Sequence, residues 1–167
     1  KKKYVFFIGH QEPWVPLDEF LEASEVFTNY GFVVIGESQS YKYYSKKYTS
    51  AIFLGKLSHK ETLNLAKKYA DFFFHPYQNN EIWKYKSSRK LLEYVALEKP
   101  ILINTKKFLP EGLLEYKNMV LYSDYKSLID ILKGSNAKFN HSKFNLKPFF
   151  WSELIKSSGI LKYQKLN

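Results

Sequence analysis

Short apolar runs alternate with segments of helical periodicity along this chain, and that alternation constrains the fold more than any other feature. Tyr4 to Ile8, Phe32 to Ile35, Ala51 to Leu54, Phe72 to Phe74, Ile101 to Ile103 and Met119 to Tyr122 are brief and apolar at consecutive positions. Consecutive apolar residues suit strands covered on both faces. Between them, Leu17 to Tyr30 places Phe20, Leu21, Ala23, Val26 and Phe27 near helical spacing, with Gly31 as a stop. Ser58-His59-Lys60-Glu61 matches an S-x-x-E capping box, opening a helix with Leu63, Leu65, Ala66 and Tyr69. Ser123 is placed to cap a helix from Asp124 to Lys133 that Gly134 stops. Glu37 to Thr49, polar and tyrosine-rich, reads as loop, as does Tyr77 to Lys86; Asn136 to Pro148 reads as irregular and Trp151 to Ser157 as a last short helix. Strands alternating with helices predict βαβ units, hence an α/β fold with a parallel sheet covered on both faces.

The 167 residues suit one domain, 1–150, with 151–167 as its C-terminal helix and tail. The absence of cysteine excludes disulfides and thiolate metal sites and fits a reducing, cytoplasmic setting. The four histidines lack metal-ligand spacing, and no apolar run approaches the ~20 residues that span a bilayer. Lys1-Lys2-Lys3 runs directly into a strand-like segment, so no signal peptide is expected. The net charge of +10 attracts polyanions. It is spread along the chain rather than gathered in one block, and there is no basic-aromatic RNA-binding signature, so nucleic acid is not expected as a partner. Two clusters, Tyr41 to Tyr48 and Lys143 to Lys147, could dock on anionic headgroups, which predicts peripheral contact with the inner face of the plasma membrane.

One segment carries most of the chemistry. Ser87-Ser88-Arg89-Lys90-Leu91-Leu92-Glu93-Tyr94 reads as a helix start with hydroxyls and two cations, and an acid one turn in. Hydroxyls, positive charge and free backbone N–H groups at a helix N-terminus favour an anion such as phosphate. A carboxylate one turn further can accept from the vicinal hydroxyls of a ribose, so the pattern suggests a nucleotide. Three of the early strands end in Gly9, Gly36 and Gly55. Glycines there serve either turns or the close approach of a ligand at the carboxyl ends of the strands. Neither G-x-G-x-x-G nor G-x-x-x-x-G-K-[ST] occurs, so the usual dinucleotide fingerprint and the P-loop are both missing.

The order of Val34-Ile35-Gly36, Phe53-Leu54-Gly55, the capped helix at Ser58, Ala70-Asp71-Phe72-Phe73-Phe74-His75-Pro76-Tyr77 and Ser87 to Tyr94 resembles the C-terminal, donor-binding half of a GT-B glycosyltransferase. Phe150-Trp151-Ser152-Glu153 is similar to the aromatic-W-[ST]-E segment before the closing helix of such enzymes. The Pro76-Tyr77 pair and the Ser-Ser-x-Lys-Leu-Leu-acid-Tyr helix look most like bacterial glucuronosyltransferases of the xanthan type, in which these parts build a UDP-sugar site. The resemblance implies a Rossmann-like half of a two-half enzyme. It implies a partner N-terminal, acceptor-binding half, fused or separate, that supplies the general base of an inverting member; no catalytic residue is therefore assigned in this chain.

The same resemblance assigns donor-binding roles. Lys90 would hold the diphosphate, Ser87 and Ser88 would offer hydroxyls and the cap, and Arg89 would add charge. Glu93 would bind the ribose hydroxyls; three residues after Lys90, it can also form an ion pair on the helix surface, and the two roles are compatible. Tyr77 would line the nucleotide site, Lys56 and Leu57 would lie beside the base, and Gly9 and His10 would approach the diphosphate or sugar. His75 reads as a structural strand-end residue. An E-x7-E pair, seen in many retaining members, is absent, because Tyr85 stands where the earlier acid would be. No D-x-D triplet occurs, so no metal cofactor is expected and Lys90 with the helix dipole would stabilise the leaving diphosphate. The alternatives from other classes are a non-catalytic α/β nucleotide-binding module and a basic domain docked on anionic membrane.

Overall fold

A computed structural model of the chain describes residues 2–11, 15–77, 89–134 and 144–147. The elements run β1 (Lys3–Ile8), α1 (Asp18–Val26), β2 (Tyr30–Ile35), α2 (Tyr41–Lys47), β3 (Ile52–Phe53), α3 (His59–Tyr69), β4 (Phe72–Phe74), α4 (Arg89–Ala96), β5 (Ile101–Ile103), β6 (Met119–Leu121) and α5 (Tyr125–Lys133), with a 3-10 turn, Glu111–Leu113, before β6. The strands form one six-stranded parallel sheet in the order β3-β2-β1-β4-β5-β6. The chain winds outward from β1 to β3, returns beside β1 as β4, and winds out the other way. The order therefore reverses between β1 and β4, the place where open α/β sheets leave a crevice at the carboxyl ends of their strands.

Each strand supplies both faces. Val5, Phe7, Phe32, Val34, Phe72 and Phe74 pack under α1 and α5, where Phe20 meets Phe32 at 5.1 Å and Phe74 at 4.9 Å between ring centroids. Phe6, Ile8, Val33, Ile35, Phe73, Ile101 and Ile103 pack on the other face against Ala66 of α3 and Leu91, Tyr94 and Val95 of α4. Two covered faces account for the consecutive apolar residues of the strands.

Several local readings change. Tyr41–Lys47 is helical, not loop. Its apolar face is made of tyrosines, Tyr44 and then Tyr48 one turn later, both buried; Lys46 and Lys47 sit favourably in the last turn. Gly31 does not stop α1. It lies inside β2, where the Tyr4 ring fills the space a Cβ would need, and α1 ends at Val26. Asp124, not Ser123, caps α5: its carboxylate accepts from the Ser127 N–H at 2.8 Å. The capping box at Ser58 and Glu61 forms as expected. Asn136 to Lys143 and the helix expected over Trp151 to Ser157 lie outside the described residues.

The reversal point has a specific lock. β1 pairs with β4 only through Val5 with Phe72 and Phe6 with Phe73, whereas on its other side it stays paired with β2 through Ile8 and Ile35. Past Phe73 the two strands part, and the Tyr94 hydroxyl enters the gap. It accepts from the Ile8 N–H and donates to the Ile8 carbonyl, both at 3.2 Å. Its ring lies parallel to Phe73 at 4.1 Å. Tyr94→Phe keeps the ring contact and strips both backbone groups of their partner. The expected loss is about 1–3 kcal/mol of unfolding free energy by urea titration, the usual cost of orphaned buried polar groups.

Candidate functional site

Beyond the carboxyl ends of β1 and β2 the backbone itself shapes the floor. Gly9 donates its N–H to Ile35 at 2.9 Å, and Gly36 donates to Gly55 at 2.8 Å, so the three strand-end glycines are stitched in a row. Gly36 has φ +133°, and the Gly9 carbonyl occupies the position a Cβ would take. Its need for glycine is thus the approach of one backbone to another. Gly55 has φ +66°, which turns the chain from β3 toward α3.

Above this floor lies a cavity of about 320 Å³. Five of the residues expected at the site line it: Gly9, His10, Lys56, Leu57 and Lys90. Gly36, Glu37, His59 and Thr62 share its wall. The first residues of two helices, His59 of α3 and Lys90 near the start of α4, therefore converge on one space. Each helix N-terminus carries a partial positive charge, and Lys56 and Lys90 add full charges. His10 is held in place because its Nδ1 donates to the Glu37 carbonyl at 2.7 Å; in the neutral ring this leaves Nε2 as an acceptor.

Glu93 sits one turn into α4 with only 14% of its side chain exposed. Its Oε2 accepts from Lys90 Nζ at 3.0 Å, and its Oε1 accepts from His59 Nε2 at 3.1 Å. The ion pair expected with Lys90 is present, and His59 joins it from the neighbouring helix. Arg89 is exposed at the first position of α4. Ser87 and Ser88 lie outside the described residues.

Tyr77 does not line this cavity. It is buried, its ring 5.8 Å from Phe108 and edge-on to His75 at 4.9 Å, and burial pushes its phenol up to about 12. Its backbone is clamped by Asn104 beyond β5. The Tyr77 N–H donates to Asn104 Oδ1, and Asn104 Nδ2 donates to the Tyr77 carbonyl, each at 2.7 Å. Glu37, His59 and Thr62 line the cavity without having been singled out from the sequence, and Asn104 was likewise not expected as the clamp on Tyr77. His59 was visible only as a member of the capping box, and its facing of Glu93 depends on how α3 and α4 pack.

Among the described residues no group of three or more His, Asp or Glu side chains could hold a metal ion. Among them, too, no helix is long and apolar enough to cross a membrane.

The architecture is α/β and Rossmann-like, the fold of the GT-B glycosyltransferases. Solved structures that share it include the lipopolysaccharide outer core galactosyltransferase WaaB in its apo form, with TM-score 0.66, 13% identity and 99% of this chain covering 50% of that one. Anabaena HepE in complex with UDP and glucose matches with TM-score 0.66 and 11% identity, over 99% of this chain and 49% of that chain. The GtfA/B complex matches with TM-score 0.69 and 9% identity, over 98% of this chain and 36% of that chain. The chain spans about half the length of the first two. No family model and no curated protein matches the sequence.

His75, at the end of β4, behaves as a structural group. Its ring stands edge-on to Tyr77 and Tyr94, and burial lowers its pKa to about 4 from an ordinary 6.5. The folded state therefore holds it neutral where the unfolded chain takes up a proton. Its contribution to stability is complete above about pH 6.5 and declines as the pH falls toward 4. Urea midpoints measured from pH 7 to pH 4 are expected to fall less steeply for His75→Phe than for the wild type.

Proposed function

We propose that this chain is the nucleotide-sugar-binding half of a glycosyltransferase that takes a UDP-sugar and transfers the sugar to a saccharide or lipid-linked acceptor in polysaccharide or glycoconjugate synthesis. The observation that carries this reading is the cavity at the carboxyl ends of β1 and β2, where two helix N-termini, Lys56 and Lys90 meet beside Glu93. Its charge suits a diphosphate. Its position is where α/β sheets bind nucleotides, and Anabaena HepE, of the same fold, was solved with UDP and glucose. The xanthan-type reading rests on the sequence patterns Pro76-Tyr77 and Ser87 to Tyr94, with Tyr77 packed in the core beside the site rather than lining it.

In this reading Lys90 and the α4 N-terminus hold the diphosphate and stabilise the charge that grows on it as the sugar leaves. Oriented donors in a shielded cleft need no reorganisation at that moment. The charge compensation is assigned to these groups rather than to a divalent cation. Gly9 and His10 lie toward the sugar side, and Lys56 and Leu57 toward the base. The acceptor and the general base belong to a partner half, so this chain alone binds donor and transfers nothing. A nucleotide-binding module without catalytic purpose would show the same binding and gain no transferase activity when that half is added.

Calorimetric titration with UDP, GDP and ADP is expected to show selective binding of UDP. Lys90→Ala should weaken it by about tenfold or more, as fits the loss of a charge-assisted hydrogen bond. A folded chain that binds none of the three, alone or with a candidate acceptor half, would sink the reading.

α2 supports a second, compatible property, peripheral contact with anionic membrane. It contains no acid, buries Tyr44, and exposes Lys42, Lys46, Lys47 and Tyr43, the last at 60%. Lysines at an anionic surface contribute about 1 kcal/mol each. Sedimentation with phosphatidylserine vesicles should be salt-sensitive and lost in a Lys42→Glu, Lys46→Glu, Lys47→Glu variant, with vesicles of neutral lipid failing to bind either protein.

A further inference from the structure

We infer that His59 is a positioning residue for ribose recognition, holding the Glu93 carboxylate in the orientation that receives the sugar hydroxyls of the nucleotide; this rests on the donor-binding reading above. His59 is the first residue of α3, and its side chain is 64% exposed. An exposed histidine making one hydrogen bond contributes little to stability, so its placement is not explained by holding the two helices together. What it does is bind one specific atom. Nε2 donates to Glu93 Oε1, while Lys90 donates to Oε2, so each oxygen of the carboxylate is held by one donor.

A carboxylate accepts about four hydrogen bonds. With one used on each oxygen, Glu93 retains a free lone pair on each, which is the arrangement two vicinal hydroxyls require. The two anchors are not equivalent when ligand arrives. Lys90 lines the cavity and is the group that a diphosphate attracts. As its ammonium turns to phosphate, its hold on Oε2 weakens, and His59 becomes the anchor that keeps the carboxylate from rotating. His59 and Lys90 both line the cavity, so the two groups that hold Glu93 border it, while Glu93 itself is not among the lining residues. The nearby formal charges are Lys90 and Glu93 themselves, with Lys56 and Glu37 on the same cavity wall.

The test compares ribonucleoside with 2′-deoxyribonucleoside diphosphates, using whichever of UDP, GDP and ADP the full chain binds, by calorimetry on the wild type, His59→Ala and His59→Gln. The wild type is expected to prefer the ribo form. His59→Ala should weaken the ribo form by about two- to tenfold, the span of one modest hydrogen bond, and leave the deoxy form nearly unchanged. His59→Gln, whose amide can donate to the same oxygen, should recover most of the preference. An equal loss for both nucleotides, no loss for either, or a wild type indifferent to the 2′-hydroxyl overturns the assignment and leaves the donor-binding reading in place. A wild type that binds none of the nucleotides overturns both. Thermal unfolding of the two variants is expected to match the wild type.

Discussion

The parting of β1 from β4 is the constraint on which the rest of the molecule depends. Strands in a parallel sheet stay paired unless something satisfies the backbone groups that separation exposes. Here one side chain does so. The Tyr94 hydroxyl takes both polar groups of Ile8, and its ring stacks on Phe73 of the strand that has moved away. The contact sits at the point where the strand order reverses. Because Tyr94 is on α4, the same bond places the start of that helix, with Lys90, over the end of β1. The Tyr94 contact thus joins the end of β1 to the helix that carries Lys90.

The electrostatics of the cavity follow from that placement. α3 starts where Gly55 turns the chain up from β3, and α4 starts beside it, so two positive helix ends share one space with Lys56 and Lys90. The largely covered Glu93 carboxylate offsets part of this positive charge by accepting from both Lys90 and His59. In the proposed donor-binding reading, a diphosphate would draw Lys90 away from Glu93 while His59 keeps its hold on the carboxylate.

The sequence was legible where local physics decides the outcome and opaque where packing does. The apolar runs located the six strands of the described residues, and the Ser58 capping box located the start of α3 to the residue. α2 was missed because its buried face is tyrosine, which hydropathy reads as polar, although Tyr44 and Tyr48 are almost fully covered. Gly31 was misread because a glycine required by the Tyr4 ring looks the same as one that ends a helix. Of the residues named for the site, Gly9, His10, Lys56, Leu57 and Lys90 gather around one cavity, while Tyr77 is a core residue clamped by Asn104.

The sequence by itself determined the α/β class, the strand set and the basic helix start at Arg89 and Lys90, because these rest on periodicity, capping and composition within a few neighbouring residues. Only the tertiary structure decided that His59 meets Glu93 across 34 positions of chain, that Tyr94 reaches Ile8 across 86, and that Asn104 grips Tyr77. Those contacts depend on the order of strands in the sheet and the packing of helices upon it. Neither leaves a local trace, since a polar side chain carries no sign of the distant partner that the fold will bring to it.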